Sequence, residues 1–259
     1  MSAARTRAAA PPRVRVLVIG GLDPTGGAGL LADLEALQAV GARGWAVASA
    51  LTAQGPGGAR GFEPASEAML LAQVEALLDG PERPRAVKTG MLGTAGLARA
   101  LAARLARAPV ARAPLVVDPV LAASSGAPLL DPGGRSPGDA LAPLLARAAL
   151  ATPNLPELAA LTGEDVSTDE AAIRAARRLP ARAVLVKGGH RAGAPVDLLV
   201  EARRVTRYAG RRRAGTARGT GCRLASAIAG LLARGASLDE AVRGAKRLVE
   251  RYLDRAPGG

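Results

Sequence analysis

The chain has 259 residues, 49% of them hydrophobic, which is enough to bury a core in one α/β domain. Its 35 basic residues against 22 acidic ones give a net charge of +13, yet only 2% of residues are aromatic, so the stacking platforms of a nucleic-acid binder are lacking. A single cysteine excludes an intrachain disulfide, and no apolar run approaches the roughly 20 residues of a membrane span, so we expect a cytoplasmic protein that engages neither membrane nor nucleic acid.

Residues 1–13, rich in Ala, Arg and Pro, read as a disordered tail ahead of a single domain over 14–259. Val14 to Ile19 is a first strand, and a helix opens after Gly29 with Leu30, Leu34 and Leu37 on one face. Trp45 to Leu51 is a second strand, and Ser66 caps a helix carrying Leu70, Val74 and Leu77 inward. Arg85 to Lys88 is a third strand, Thr94 starts a helix bearing Leu97, Leu101 and Leu105, and Leu115 to Val117 is a further strand ended by Asp118. A Pro/Gly-rich loop over Asp131 to Gly138 precedes a helix near Leu141 to Ala148, then strands near Leu150 and at Ala183 to Val186. Val196 to Val200 and Arg204 to Tyr208 form an antiparallel hairpin. Two helices close the chain, one over Leu224 to Leu232 and one opened by the capping box Ser237-Leu238-Asp239-Glu240. Strands alternating with helices imply a mostly parallel sheet covered on both faces.

The unusual residues follow the carboxyl ends of these strands, the edge where open parallel sheets bind ligands. They are Gly20 to Gly29, Thr52 to Gln54, Thr89 to Met91, Asp118, Asn154 to Glu157 and Lys187 to His190. Gly20 to Gly29 contains Gly-x-Gly, but no acid stands between Gln38 and Phe62 to hold a dinucleotide ribose, and no Gly precedes Lys-Ser or Lys-Thr as in a P-loop. Arg218-Gly219-Thr220-Gly221-Cys222 is the strongest single signal. Small residues at a helix start let backbone N–H groups converge on an anion, and the helix dipole adds positive potential. The same field is expected to favour a Cys222 thiolate beside a substrate hydroxyl; the competing reading is a tight turn with a small buried hydrophobe. Gln54 can donate and accept at once, matching a ring nitrogen beside an exocyclic amine. Asn154 and Glu157 have capping-box spacing with Pro156 in the first turn. Arg211-Arg212-Arg213, a few residues ahead of the anion loop, is either phosphate-facing or a solvated turn.

Taken together these loops resemble the hydroxymethylpyrimidine/phosphomethylpyrimidine kinase family of the ribokinase-like superfamily. The resemblance runs through Gly21-Leu22-Asp23-Pro24-Thr25-Gly26-Gly27-Ala28-Gly29, Ala50 to Gln54, Lys88-Thr89-Gly90-Met91, Val117-Asp118-Pro119-Val120, Thr152 to Glu157, Lys187-Gly188-Gly189-His190 and Gly219 to Cys222, in family order. It implies a three-layer sandwich whose mostly parallel central sheet is flanked by helices and carries a small antiparallel edge element. It also implies ATP- and Mg2+-dependent phosphorylation of an aminopyrimidine alcohol and then of its monophosphate, by a homodimer. Catalysis falls by resemblance to Gly219, Thr220, Gly221 and Cys222, and the pyrimidine pocket to Gln54, Gly21, Asp23, Ala28, Met91 and Val120. The nucleotide falls to Lys187, Gly188, Gly189, Asn154 and Arg218, and the metal, through water, to Asp118 and Glu157. Asp23 as a turn cap and Met91 as core filler are the alternatives.

The chain departs from the family pattern at Arg218 (usually His), Arg223 (Thr), Leu22 (Ser), Ser124 (Lys) and Gly55-Pro56-Gly57-Gly58 (which replaces an Asn-Thr pair). Arg218 and Arg223, flanking the anion loop, are expected to supply cationic contacts to the phosphates. Two rivals remain. A pyridoxal kinase would bind a ring lacking the amino group Gln54 suits, without a second cysteine to trap the aldehyde. A basic non-catalytic nucleic-acid-binding protein rests on charge alone.

Overall fold

In the first strand, β1 (Arg15–Leu22), Val16 and Val18 pack to one side and Leu17 and Ile19 to the other, as the two-residue period of a strand requires. The computed structural model describes residues 14–55, 58–123, 125–189, 194–211 and 217–255; the expected tail, Ser124, His190, Arg212 and Arg213 lie outside these. β1 is followed by α1 (Gly29–Ala39), the long hairpin β2 (Arg43–Gly55) and β3 (Gly58–Pro64), α2 (Glu67–Leu78), β4 (Ala86–Thr89), β5 (Gly93–Thr94) and α3 (Ala95–Leu105). Then come β6 (Leu115–Val117), β7 (Leu130–Asp131), α4 (Pro137–Leu145), β8 (Leu150–Ala151), α5 (Leu155–Thr162) and α6 (Asp169–Arg178). The chain finishes with β9 (Ala183–Val186), β10 (Val196–Glu201), β11 (Val205–Ala209), α7 (Thr220–Ala233) and α8 (Leu238–Arg255).

Among the described residues one nine-stranded sheet runs in the order β11-β10-β9-β8-β6-β4-β1-β2-β3. Its centre is parallel, and antiparallel pairs stand at both edges, β2 with β3 and β9-β10-β11 at the far side. The expected antiparallel edge element is therefore one of two. The sheet face bearing Leu17, Val87, Val117 and Val186 is covered by α2 to α6, and the face bearing Val16, Val18, Val116 and Leu185 by α1, α7 and α8. This is the three-layer sandwich. No helix among the described residues is long and apolar enough to cross a membrane.

Side-chain caps start most helices, at Ser66 and Thr94 where the sequence places them and at Ser136, so that α4 opens at Pro137, ahead of the expected Leu141. Ser66 accepts from the Met69 N–H, Thr94 from Leu97 and Ser136 from Asp139, while Asn154 and Glu157 complete a capping box. Neither α1 nor α7 has such a cap. Both face the sheet edge where the site lies, so their first N–H groups are not consumed by a local side chain. Four elements escape the sequence reading: β3, α6 and the two-residue strands β5 and β7, which pair with each other. The strand β3 is Gly-rich and half exposed, without alternation; α6 buries only Ala171, Ala172, Ala175 and Ala176, too small a signal to mark its inner face.

Candidate active site

β1 lies between β2 and β4, so the chain passes first to one side of β1 and then to the other. The loops leaving β1 and β4 therefore splay apart and open a crevice at their carboxyl ends. The segment 20–29 leaves β1, Gly90 and Met91 leave β4, Asp118 leaves β6, Asn154 leaves β8 and Lys187 leaves β9. The N-terminus of α7 closes the crevice from above. Gly219, its N-cap, has φ +70°, and a Cβ there would fall 2.2 Å from the Gly27 carbonyl oxygen. Only glycine lets the two loops touch at that point.

The crevice has an open outer part of about 670 Å³ and a small inner cavity of about 50 Å³. Ala28, Gln54, Val120 and Cys222 line both parts. Thr220 and Gly221 face the outer part, with Asn154, Glu157, Lys187 and Gly189; Gly21, Asp23 and Met91 line the inner one. Gly188 instead donates its N–H to Asp197 Oδ1 at 2.8 Å, tying the β9 loop to β10. Met91 is buried against Ala50 and Leu129 with its sulfur over Gly21, so it is both core residue and cavity wall. Asp23, 1% exposed, organises its own loop by accepting from the Thr25 N–H at 2.9 Å, Thr25 Oγ1 at 2.8 Å and the Ala28 N–H at 3.1 Å. The Gln54 carboxamide donates through Nε2 to Thr52 Oγ1 at 3.2 Å and accepts through Oε1 from Arg218.

An ion-pair cluster of three groups lines the outer part. Lys187 Nζ lies 2.9 Å from Asp118 Oδ1 and 3.6 Å from Glu157 Oε2, beside Gly221 at the start of α7. Burial works against the Lys187 ammonium, but the two carboxylates outweigh it and hold it protonated well above the ordinary range. Burial would raise Asp118, yet Lys187 and Lys88 bring it below the usual carboxylate value, while burial raises Glu157, partly offset by Lys187 and reinforced by Asp118. Thr152 Oγ1 donates to Asp118 at 3.0 Å, and the Asn154 N–H to Glu157 at 2.7 Å.

Beneath Cys222 lies a buried ion pair that the sequence reading passed over. Lys88 Nζ on β4 donates to both Asp33 oxygens, at 2.9 and 2.8 Å, and Ser226 Oγ of α7 donates to the same carboxylate at 2.8 Å. The side chains are 1% and 0% exposed. A signal was present: a lysine inside the apolar strand Ala86–Thr89 requires a buried counter-charge. Burial works against both charged forms: at Lys88 it is outweighed by Asp33 and the affinity for the proton rises, while at Asp33 it prevails over Lys88 and Ser226 and the carboxyl is raised.

Two expectations are corrected here. The Cys222 thiol is pushed up to about 11 by burial, with the Lys88 ammonium opposing and the Asp33 and Asp118 charges adding to the rise. The helix field does not win, and the group is a neutral thiol that accepts from the Gly29 N–H. Arg223 does not face phosphates: 4% exposed, it pairs with Glu35 at 2.7 Å, donates to the Gly27 carbonyl at 2.9 Å and lies 3.9 Å over the Tyr252 ring. Arg218 lines the outer part with Asn154, Lys187 and Gly189, and its guanidinium lies 3.0 Å from Asp23 Oδ2 and in contact with Gln54, two residues of the inner part.

The family model described as phosphomethylpyrimidine kinase matches residues 23–258. A thiamine biosynthesis bifunctional protein of Geobacter sulfurreducens is 43% identical over 245 residues, 92% of this chain, which spans about half (49%) of that relative's length. A hydroxymethylpyrimidine/phosphomethylpyrimidine kinase of Rhizobium meliloti is 40% identical, covering 93% of this chain and 90% of its own. Among solved structures, the phosphomethylpyrimidine kinase of Clostridium difficile superposes with TM-score 0.79 at 32% identity, covering 93% of this chain and 100% of that one. The pyridoxal kinase of Staphylococcus aureus in complex with pyridoxal gives TM-score 0.80 at 28% identity, covering 94% and 88%.

Proposed function

The chain belongs to the phosphomethylpyrimidine kinase family, and on that premise we propose that its crevice transfers the γ-phosphoryl group of ATP to 4-amino-5-hydroxymethyl-2-methylpyrimidine and then to the resulting monophosphate, in thiamine synthesis. The observation that carries this reading is the position of Cys222. It stands in the first turn of an uncapped helix, where the inner cavity with Gln54 opens into the outer cleft with Lys187. An acceptor hydroxyl beside that sulfur meets a phosphoryl group beside those N–H groups. Phosphoryl transfer asks for positioning and charge neutralisation more than covalent chemistry, and a neutral thiol suffices to orient the hydroxyl. Gly219, Thr220 and Gly221 present the backbone donors, and Lys187, beside Gly221, a full positive charge.

The donor set fits Mg2+. Asp118 and Glu157 are two carboxylates on one cation, and a hard ion that keeps several waters needs few protein ligands. Among the described residues no cluster of three or more His, Cys, Asp or Glu could hold a metal; Asp118 and Glu157 would hold the ion through water, and it would supply charge neutralisation for the nucleotide phosphates. We further infer a cytoplasmic homodimer. Leu51 and Met69, 59% and 57% exposed on the packed elements β2 and α2, support a covered face there, and sedimentation velocity reads the state out.

A coupled assay of ADP release tests the acceptor. We expect turnover with the pyrimidine alcohol and its monophosphate, and a lower kcat/KM with pyridoxal, whose ring offers Gln54 no amino group. A preference for pyridoxal would transfer the assignment to the activity of the Staphylococcus aureus neighbour.

A further inference from the structure

We propose that Arg218 receives the phosphate ester of the second acceptor, and so sets the preference between the pyrimidine alcohol and its monophosphate. This rests on the two-acceptor reading above.

The backbone of Arg218 is fixed and its side chain is detachable. Tyr252 Oη donates to the Arg218 carbonyl at 3.2 Å and Arg223 Nη1 approaches it at 3.4 Å, while Gly219 follows as the cap of α7. The side chain, by contrast, is 36% exposed, against 2% for the Asp23 carboxylate it pairs with. It lines the outer part and reaches from the anion loop to Asp23, Thr25 and Gln54, of which Asp23 and Gln54 also line the inner cavity. In this position the cavity measures about 50 Å³, space for a few waters but not for a substituted pyrimidine. A ring read through Gln54 Oε1 competes with Arg218 for that oxygen.

Releasing the guanidinium removes the cation paired with Asp23 but leaves both polar groups hydrogen-bonded. Asp23 keeps the Thr25 N–H, Thr25 Oγ1 and the Ala28 N–H, and Gln54 keeps Thr52. What differs between the acceptors is the replacement partner. The alcohol offers the displaced guanidinium no anion. The monophosphate carries a dianion that must lie beside Gly219 to Cys222 so that one of its oxygens attacks the γ-phosphorus of ATP and ADP leaves, one residue along from Arg218, and a guanidinium binds phosphate through two parallel N–H bonds. The residue thus taxes the first acceptor and rewards the second.

The test compares wild type, Arg218→Gln and Arg218→Lys, with each acceptor varied at saturating ATP. We expect the ratio of kcat/KM for the monophosphate to that for the alcohol to fall at least about tenfold in Arg218→Gln, and by an intermediate factor in Arg218→Lys, which keeps charge without the fork. Equal losses for both acceptors, or a rise confined to the KM for ATP, would assign Arg218 to the nucleotide and overturn the proposal. Calorimetric binding of the monophosphate, with a non-hydrolysable ATP analogue present, supplies the second arm. If wild type turns over neither acceptor, the family-based activity fails, while equal monophosphate affinity in wild type and Arg218→Gln still sinks the Arg218 assignment. Should Arg218→Gln not fold, an unchanged ratio in Arg218→Lys is the overturning result.

Discussion

At the scale of single residues, burial decides more than position in a motif. A cysteine at a helix start is a thiolate candidate when it faces water, and Cys222 was legible as a site residue from its glycine neighbours. Its protonation state was not, because that depends on what three other segments bring around it: Gly29 from α1, Lys88 from β4 and Asp118 from β6. With its ionisation pushed up to about 11, the thiolate is only about one part in ten thousand at pH 7. The sign is fixed by burial, which favours the neutral form. Iodoacetamide should therefore label the free enzyme slowly at pH 7, with a rate rising about tenfold per pH unit through pH 9 instead of levelling near 8.5 as for an unperturbed thiol. A labelling midpoint at or below 8.5 would restore the thiolate. Arg223 teaches the same lesson. Its neighbourhood in sequence points to phosphate, and its neighbourhood in space is Tyr252, Glu35 and a loop carbonyl.

At the scale of elements, the pair Lys88–Asp33 is the joint between β4, α1 and α7. Val18 on β1 registers with Lys88, so the ammonium emerges on the face that α1 and α7 cover, where Asp33 and Ser226 meet it. Removing one partner leaves a buried charge without its counterpart, which costs about 3–5 kcal/mol. We expect Lys88→Met to lose that much in urea denaturation, and the double variant Asp33→Asn/Lys88→Met to recover most of it. A single variant within about 1 kcal/mol of wild type would show the pair to be dispensable. Parallel strands and the amphipathic helices α1 to α3 were legible because Leu and Val repeat at the period of each element. The β2–β3 hairpin was not, since pairing there is carried by backbone bonds between Gly-rich strands, and Gln54 consequently stands within a strand and not in a loop. The helix α6 hid behind an alanine face.

At the scale of the whole molecule, loops as far apart in the chain as Asp23 and Cys222 meet at one sheet edge, and the β1 loop touches the α7 loop across the entrance, Gly27 against Gly219 and Thr25 against Arg218. The order of the motifs along the chain made this edge readable; the facing of Arg218, set by Asp23 and Gln54 from two other loops, was readable only in three dimensions. A nucleotide bound there holds several loops at once and exists only in the folded state, so it stabilises by mass action, by about 2.7 kcal/mol at a hundredfold excess over Kd. For a chain of this length that corresponds to a rise in Tm of about 5–10 °C. A non-hydrolysable ATP analogue with Mg2+ should give this shift in differential scanning fluorimetry, and EDTA should remove most of it, since Asp118 and Glu157 then meet the phosphates without an intervening cation. An undiminished shift in EDTA would contradict the metal assignment of those two carboxylates. A duplex oligonucleotide at physiological salt should leave Tm in place, because arginines spread over many helices make few simultaneous phosphate contacts and such contacts weaken steeply with salt. A shift with the duplex and none with the nucleotide would hand the net charge of +13 the role here given to the crevice.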